Sequence, residues 1–353
     1  MRELKKSINF PNTFLDYILG TSEREKNHKE TLENSFEKDC TGIPPIYSLL
    51  KVTDRCILNC AYCAHAGIKY ASDEASTEDL ERVLVQIAEA GVASVNFTGG
   101  EPLLRADIIR LSHKARSLGL FTVLLTNGVL LNHRISELRG SSFDMVIVSV
   151  DSIDKKNYKA TRGIDVGVVL DGIEELRKLG PQAPIITVTT VVTKNNIDDL
   201  EKTVEYFNER DIGVKLTPYH HYGRWEEDRL SPVDREKYAE TIERLKSLKK
   251  AGAGILNSEA YLDGFEEFVF QKRKLPVSYR CYSGYTTLYI DSQLNLRSCW
   301  SNGMPIAGNV KESSIKDILD SVQMQKIRGK IRNLKCEHCW LLCTAEISLR
   351  WQD

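Results

Sequence analysis

The sequence predicts a mixed α/β fold: a partial (β/α)6 barrel followed by a small α+β C-terminal domain made of a β-hairpin plus helices. Three observations carry this. Between residues 46 and 217, short runs rich in β-branched residues alternate with amphipathic segments. The alternation gives six β/α repeats, which implies a parallel sheet with helices outside it but too few units for a closed eight-fold barrel. After Thr217 the alternation stops, and two strands with a turn between them begin near residue 285.

The elements follow in order. Residues 1–44 form a charged helical extension, ended by Gly42-Ile43-Pro44-Pro45. Residues 45–217 form the barrel core. Its strands are expected at 46–52, 92–97, 121–125, 143–150, 184–192 and 213–217. Its helices are expected at 76–90, 105–118, 132–138, 166–179 and 197–208, the first opening on a Ser76-Thr77-Glu78-Asp79 start signal. Residues 218–280 form a helical linker or lid with one strongly charged helix at 232–250. Residues 281–353 form the last domain, with strands at 285–291 and 295–300 and helices from about residue 314. In open parallel sheets, ligands gather at the C-terminal strand ends.

Composition narrows the function. Of 353 residues, 42% are hydrophobic and 27% charged, ordinary for a globular enzyme with its own core. The formal net charge of −1 gives no general attraction to nucleic acid or anionic lipid. No apolar run reaches the roughly 18–20 residues of a membrane span. The first residues hold no signal-peptide core, so a cytoplasmic location is expected. The nine cysteines are an odd number, which excludes a complete intrachain disulfide framework. They are grouped, and grouping in a reducing compartment reads as metal binding.

The sharpest group is Cys56-Ile-Leu-Asn-Cys60-Ala-Tyr-Cys63, directly after the first strand. Three thiolates at this spacing can wrap one face of a four-iron cluster and leave one iron open. A zinc knuckle is the plain alternative, but His65 as its fourth ligand would crowd the loop. One unit later comes Thr98-Gly99-Gly100-Glu101-Pro102, where glycines permit close backbone approach and Glu101 adds a carboxylate.

The C-x3-C-x2-C spacing at the end of the first barrel strand, with the GGEP loop after the second, resembles the radical S-adenosylmethionine (SAM) superfamily. The resemblance implies that Cys56, Cys60 and Cys63 hold a 4Fe–4S cluster whose open iron chelates SAM. Tyr62 then packs near the adenine, and Gly99, Gly100, Glu101 and Pro102 bind the cofactor's amino group. Asn127 ends the third strand. Ser149 and Asp151 would face the ribose, and Arg162 would pair with the cofactor carboxylate. Val191, Val192, Thr217 and Pro218 would touch the adenine. Residues 219–225, with Tyr219, His220, His221, Tyr222, Arg224 and Trp225, form a polar-aromatic group suited to a pocket lining. Cys40 reads as a structural thiol.

The tail resembles the twitch and SPASM auxiliary domains. Cys281, Cys299, Cys336 and Cys339 supply four thiolates, enough to saturate a second 4Fe–4S cluster; a closed zinc site is the alternative. A full SPASM domain has seven cysteines, and this tail has five, so one auxiliary cluster is the economical count. Cys343 is left over as an alternative ligand, a packed thiol or a hydrogen-atom donor.

The implied activity is reductive cleavage of SAM to a 5′-deoxyadenosyl radical, which abstracts a hydrogen atom from a small-molecule substrate. The outcome is oxidation or epimerisation, with the auxiliary cluster assisting electron transfer or substrate binding. The alternative is a maturase of a ribosomally made peptide. The expected partners are the substrate and an electron donor such as flavodoxin or ferredoxin.

Overall fold

The computed structural model describes residues 23–38, 44–63, 74–220, 229–271, 279–300, 304–336 and 339–352. Six parallel strands form the core: β1 (Tyr47–Thr53), β2 (Ser94–Gly99), β3 (Phe121–Thr126), β4 (Met145–Ser149), β5 (Ile185–Val192) and β6 (Gly213–Pro218). They pair in chain order, as successive right-handed β/α units require. Every residue of β1 is buried. Leu49, Leu50 and Val52 suit a parallel strand covered on both faces, and the buried Lys51 pairs with Asp54.

The outer helices bury one stripe each. Thr77–Glu89 turns Leu80, Val83, Leu84 and Ile87 inward at helical spacing, and Ser76 caps it by accepting from the Asp79 amide. The fourth unit has two helices where the sequence reading expects one. Lys155–Arg162 precedes Gly167–Arg177 and stops at Gly163, whose φ of 82° lies in the left-handed region. Only four residues separate the pair, so periodicity alone blurs them.

The sheet continues into the C-terminal region. Strand β7 (Thr287–Ile290) lies parallel to β1, with Tyr47 opposite Thr287. Strands β8 (Asn295–Arg297) and β9 (Gly308–Asn309) follow antiparallel. The hairpin expected in a separate small domain therefore extends the barrel sheet to nine strands, ordered β6-β5-β4-β3-β2-β1-β7-β8-β9. The barrel is open. Its β6 edge is covered by the segment around Ile255, where the Val214 amide donates to Gly254 and the Leu256 amide to Val214. Asn257 completes this cover by pairing its side-chain amide with both backbone groups of Leu216.

Residues 229–271 hold two helices, Arg235–Lys250 and Glu259–Phe270. The second was not expected from the sequence. Its apolar residues are dense enough to hide the helical period, although Ser258 caps it. The tail helix expected from residue 314 divides into Ile315–Asp320 and Val322–Arg332, because extended Ser321 ends one and caps the next. At the other end of the chain, Leu32 and Phe36 of Glu23–Lys38 pack with Tyr282, Tyr285 and Trp351. Among the described residues, no helix is long and apolar enough to cross a membrane.

Trp340 locks the tail to the second linker helix. Its ring stacks on Tyr261 at 5.8 Å, its indole donates to the Tyr261 carbonyl at 2.8 Å, and the Tyr261 hydroxyl donates to the Trp340 carbonyl at 2.8 Å. Gly264 makes the approach possible, since a Cβ there would lie 2.2 Å from the indole. Gly264→Ala is expected to destabilise the protein by about 1–3 kcal/mol, read by urea denaturation.

Candidate functional site

The site forms where the six parallel strands end. Cys56, Cys60 and Cys63 lie on the loop after β1, and the Cys63 amide donates to the Cys60 carbonyl at 3.1 Å. The Cys56 sulfur accepts from the Leu58 amide at 3.5 Å and from the Asn127 side chain at 3.8 Å. Burial holds the Cys60 thiol up at about 11, and the neighbouring Cys63 and Cys56 push the same way. Cluster assembly therefore has to displace protons from these sulfurs.

The glycine loop after β2 lies against this cysteine loop. A Cβ on Gly99 would meet the Thr53 carbonyl at 2.2 Å, and one on Gly100 the Arg55 carbonyl at 2.2 Å. Gly99 also has a φ of 147°. Bare backbone is thus required for the two loops to touch. Glu101 follows directly in the same loop. It is fully buried, its Oε1 accepts from the Leu103 amide and the Thr126 hydroxyl, and its Oε2 accepts from the Asn127 amide. It ties the end of β2 to the end of β3, and Pro102 starts the short 3-10 turn behind it.

A second buried carboxylate organises the far side. Arg162 grips Asp151 with two hydrogen bonds, Nε to Oδ2 at 2.7 Å and Nη2 to Oδ1 at 3.1 Å. The Tyr62 hydroxyl donates to Oδ2 at 2.7 Å, and the Val191 amide to Oδ1 at 3.1 Å. The Ala61 amide donates to the Thr161 carbonyl at 2.8 Å. The cysteine loop is thereby fastened to the unexpected helix Lys155–Arg162. Asp151, expected against the ribose, has both oxygens committed within the chain and is wholly buried. Arg162, expected on the cofactor carboxylate, is taken up by Asp151 on one side.

These loops enclose a cleft of about 330 Å³. Of the sequence-predicted residues, Cys56, Cys60, Cys63, Tyr62, Gly99, Gly100, Asn127, Ser149 and Arg162 line it. Glu101, Pro102 and Asp151 stand behind the lining. Val191, Thr217 and Pro218 also border the cleft, as do Tyr219 and His220. Sequence reasoning missed Thr98, Leu125, Thr189, Trp300 and Leu341. The first three face inward by strand alternation, a signal present once the strands are placed. Trp300 and Leu341 come from distant parts of the chain. A deeper cavity of about 240 Å³ lies inside the barrel, and Thr98, Leu125, Thr189, Thr217, Trp300 and Leu341 line both spaces.

His220 joins the barrel mouth to the tail. Its Nδ1 donates to the Pro218 carbonyl at 2.8 Å, so its Nε2 accepts from the Trp340 amide at 3.0 Å. Trp340 follows Cys339 directly. Cys281 is raised to about 12 by burial, then by the nearby sulfurs of Cys339 and Cys336. Cys343 is raised to about 12 by burial, then by Cys339 and Cys281. Cys343, left over in the sequence reading, stands in electrostatic contact with two expected ligands and also lines the deep cavity. Cys299 is buried beyond β8. Cys40, His65, His221, Tyr222, Arg224 and Trp225 lie outside the described residues.

The profile of the radical SAM superfamily matches residues 50–207, and that of SPASM, an iron–sulfur cluster-binding domain, matches residues 281–340. The chain carries a radical SAM domain and a C-terminal SPASM domain. Among its relatives are GTP 3′,8-cyclase of Peptoclostridium acidaminophilum, 34% identical over 57% of this chain, and AdoMet-dependent heme synthase of Methanosarcina barkeri, 28% identical over 79% of it. The matches take in 65% and 83% of those proteins, respectively. PqqA peptide cyclase of Rhizobium meliloti is 28% identical over 54% of this chain and 52% of its own length. Streptococcus suis SuiB bound to precursor peptide SuiA shares the fold, with a TM-score of 0.68 at 19% identity, covering 91% of this chain and 75% of SuiB.

The superfamily's cofactors are a 4Fe–4S cluster and SAM, and the SPASM domain implies further iron–sulfur clusters. The residues present fit them. Three sulfurs on one loop line a cleft that the backbone of Gly99 and Gly100 also borders. Among the described residues, no three potential ligands converge closely enough for a single metal ion. A four-iron cluster spreads its thiolates over separate irons.

Two predictions follow from the buried carboxylates. Arg162→Met strands Asp151 in the interior and is expected to cost about 3–5 kcal/mol in urea denaturation; adding Asp151→Leu recovers part of that loss. Burial raises the Glu101 carboxyl from the usual 4.5 to about 7, so between those values the native state keeps a proton that the unfolded chain has released. This contribution is complete below pH 4.5 and is lost as pH rises through about 7. Relative to Glu101→Gln, the metal-free wild type is expected to lose roughly 3 kcal/mol across that window.

Proposed function

We propose that this chain is a radical SAM oxidoreductase acting on a small molecule held inside the barrel. The observation that carries this is the continuity of the two cavities: six residues line both the cofactor cleft and the chamber beneath it. When bound, the cluster and SAM supply reductive cleavage of the S–C5′ bond and a hydrogen-abstracting 5′-deoxyadenosyl radical.

The chain's own residues have defined tasks in this reading. Cys56, Cys60 and Cys63 would hold the first cluster, with the Asn127 amide directed at the Cys56 sulfur. Gly99 and Gly100 would let the cofactor lie against backbone. Asp151, Arg162 and Tyr62 position the cysteine loop. Val191, Pro218 and Thr217 wall the cleft, and Leu49, Leu125, Ile147 and Leu342 keep the chamber dry. Exclusion of water protects reactive species from side reactions.

The electrostatic contact among Cys281, Cys336, Cys339 and Cys343 supports these four as the auxiliary ligand set, with Cys299 as the alternative to Cys343. A redox group beside the chamber wall suits net substrate oxidation, with flavodoxin or ferredoxin as the donor that starts the cycle. The match to PqqA peptide cyclase supports a second reading, in which a peptide side chain enters the same chamber.

Anaerobically reconstituted protein, reduced by dithionite with SAM present, is expected to form 5′-deoxyadenosine. Its iron content should be about eight per chain, falling to about four in the Cys56/Cys60/Cys63→Ala triple variant, which should make no deoxyadenosine. Deoxyadenosine from the triple variant, or none from fully loaded wild type, would overturn the reading. Offering small-molecule and peptide mixtures separately, and following which one raises the yield, decides between the two substrate classes.

A further inference from the structure

We propose that the outer face of the helix Val322–Arg332, together with Lys335, docks an acidic one-electron carrier protein of the flavodoxin type. The carrier takes away the electron that substrate oxidation leaves in the tail. The inference rests on the reading above for Cys336 as a ligand of a redox group and for net oxidation.

Between Asp320 and Glu337 the chain holds five basic residues and no acidic one, although its formal net charge is −1. Two of the five are used within the fold. Arg328 is buried and donates to the carbonyls of Gly284 and Leu319, and Arg332 donates to the Phe36 carbonyl. The other three, Lys326, Lys330 and Lys335, are exposed. Lys326 and Lys330 stand about 6 Å apart along the helix axis, on the side opposite buried Met324, Ile327 and Ile331. The Lys335 amide donates to the Lys330 carbonyl at 2.8 Å, which brings the third lysine beside the second. None of the three meets a carboxylate among the described residues, whereas Lys246, Lys250 and Lys311 pair with Asp263, Glu259 and Asp79. Asp320, at the head of this face, is already engaged within the chain.

The face also has an apolar end. Val322 begins the same stripe and is 65% exposed. Exposed Ile306 lies beside it, because the Gln323 side chain donates to the Ile306 carbonyl at 3.3 Å. A small apolar contact flanked by unpaired charge of one sign suits a partner that is steered in by opposite charge and held briefly.

The stripe ends one residue before Cys336, which is half-buried. No residue from 304 to 335 borders either cavity. What this face adjoins is a cluster ligand and not the chamber, which favours an electron carrier over a substrate. Net oxidation takes two electrons from the substrate. One leaves with the abstracted hydrogen atom, and the other passes to the redox group of the tail. That second electron has to leave the chain before the next turnover. At this face it reduces the oxidised flavin of the carrier to the semiquinone, with a proton taken from solvent.

Oxidised flavodoxin is the probe. By surface plasmon resonance its binding to the cluster-loaded protein is expected to weaken at least about tenfold from about 50 to about 300 mM salt. Lys326/Lys330/Lys335→Gln should weaken it at least about tenfold at the lower salt. Lys159/Lys194/Lys202→Gln makes the same change in net charge at exposed lysines of the barrel and should leave binding unchanged. When protein reduced by dithionite and then desalted is mixed with oxidised flavodoxin, semiquinone should form at least about tenfold more slowly in the first triple variant alone. All six lysines are exposed, so both variants should melt with wild type and make deoxyadenosine from dithionite as before. No flavodoxin binding by wild type, equal binding by the two triple variants, or semiquinone formation at the wild-type rate in Lys326/Lys330/Lys335→Gln would each overturn the proposal. Binding needs no turnover, so a failed deoxyadenosine assay and a failed docking assay remain distinct results.

Discussion

The architecture of the site depends on a buried carboxylate at the end of the fourth strand. Asp151 gathers a guanidinium, a phenol and a backbone amide from three separate segments. Its own carbonyl accepts from Asn196 at 2.6 Å, adding the loop after β5. An ion pair removed from water gains little net stability over well-packed apolar groups, but it tolerates few alternative geometries. Here that stringency falls on the loop carrying the three cysteines. Tyr62 lies between Cys60 and Cys63, so the position of the thiols follows from the position of its hydroxyl. Without this anchor, an eight-residue loop would have many conformations and no reason to present its sulfurs together.

The barrel interior is layered, and the layers separate two tasks. At the strand ends, glycine backbone and polar groups such as Asn127 and Ser149 border the cleft. One layer down, Thr98, Leu125, Thr189 and Thr217 border both spaces. Below them lie Leu49, Ile147 and the one lysine of β6. A parallel sheet produces such layers automatically, because inward residues recur every second position on every strand. The same arithmetic places the cysteine-lined cleft above the deeper cavity without any special insertion. Relatives matched over this region are named for different activities, a GTP cyclase and a heme synthase among them.

The C-terminal region is integrated with the barrel more closely than a separate appendage would be. β7 pairs directly with β1, the strand that leads into the cysteine loop. Trp340 is held by Tyr261 on one side, and its amide by His220 on the other. Leu341 and Cys343 then reach the cavities. The tail thiols and the chamber wall are therefore parts of one packed unit, and a change at either is felt at the other through rigid contacts.

Much of this was legible in the chain itself. Hydrophobic alternation marks the six parallel strands, because strand and helix periods differ and each must bury its own face. The cysteine spacing and the Gly-Gly pair are local, so they declare the cluster loop and its neighbour without a fold. What sequence could not assign was the partner of each polar residue. Glu101 and Asp151 read as cofactor ligands; within the chain they meet Thr126 and Arg162, 25 and 11 residues away. The place of Cys343 beside Cys281, and of Trp300 and Leu341 in the cavity wall, depends on how β7 docks on β1. Lys215 looked like any strand residue until the sheet curved and turned its side chain inward. Local pattern determines which elements form; long-range packing decides which side chains lose water together, as Glu101, Asp151 and Lys215 do.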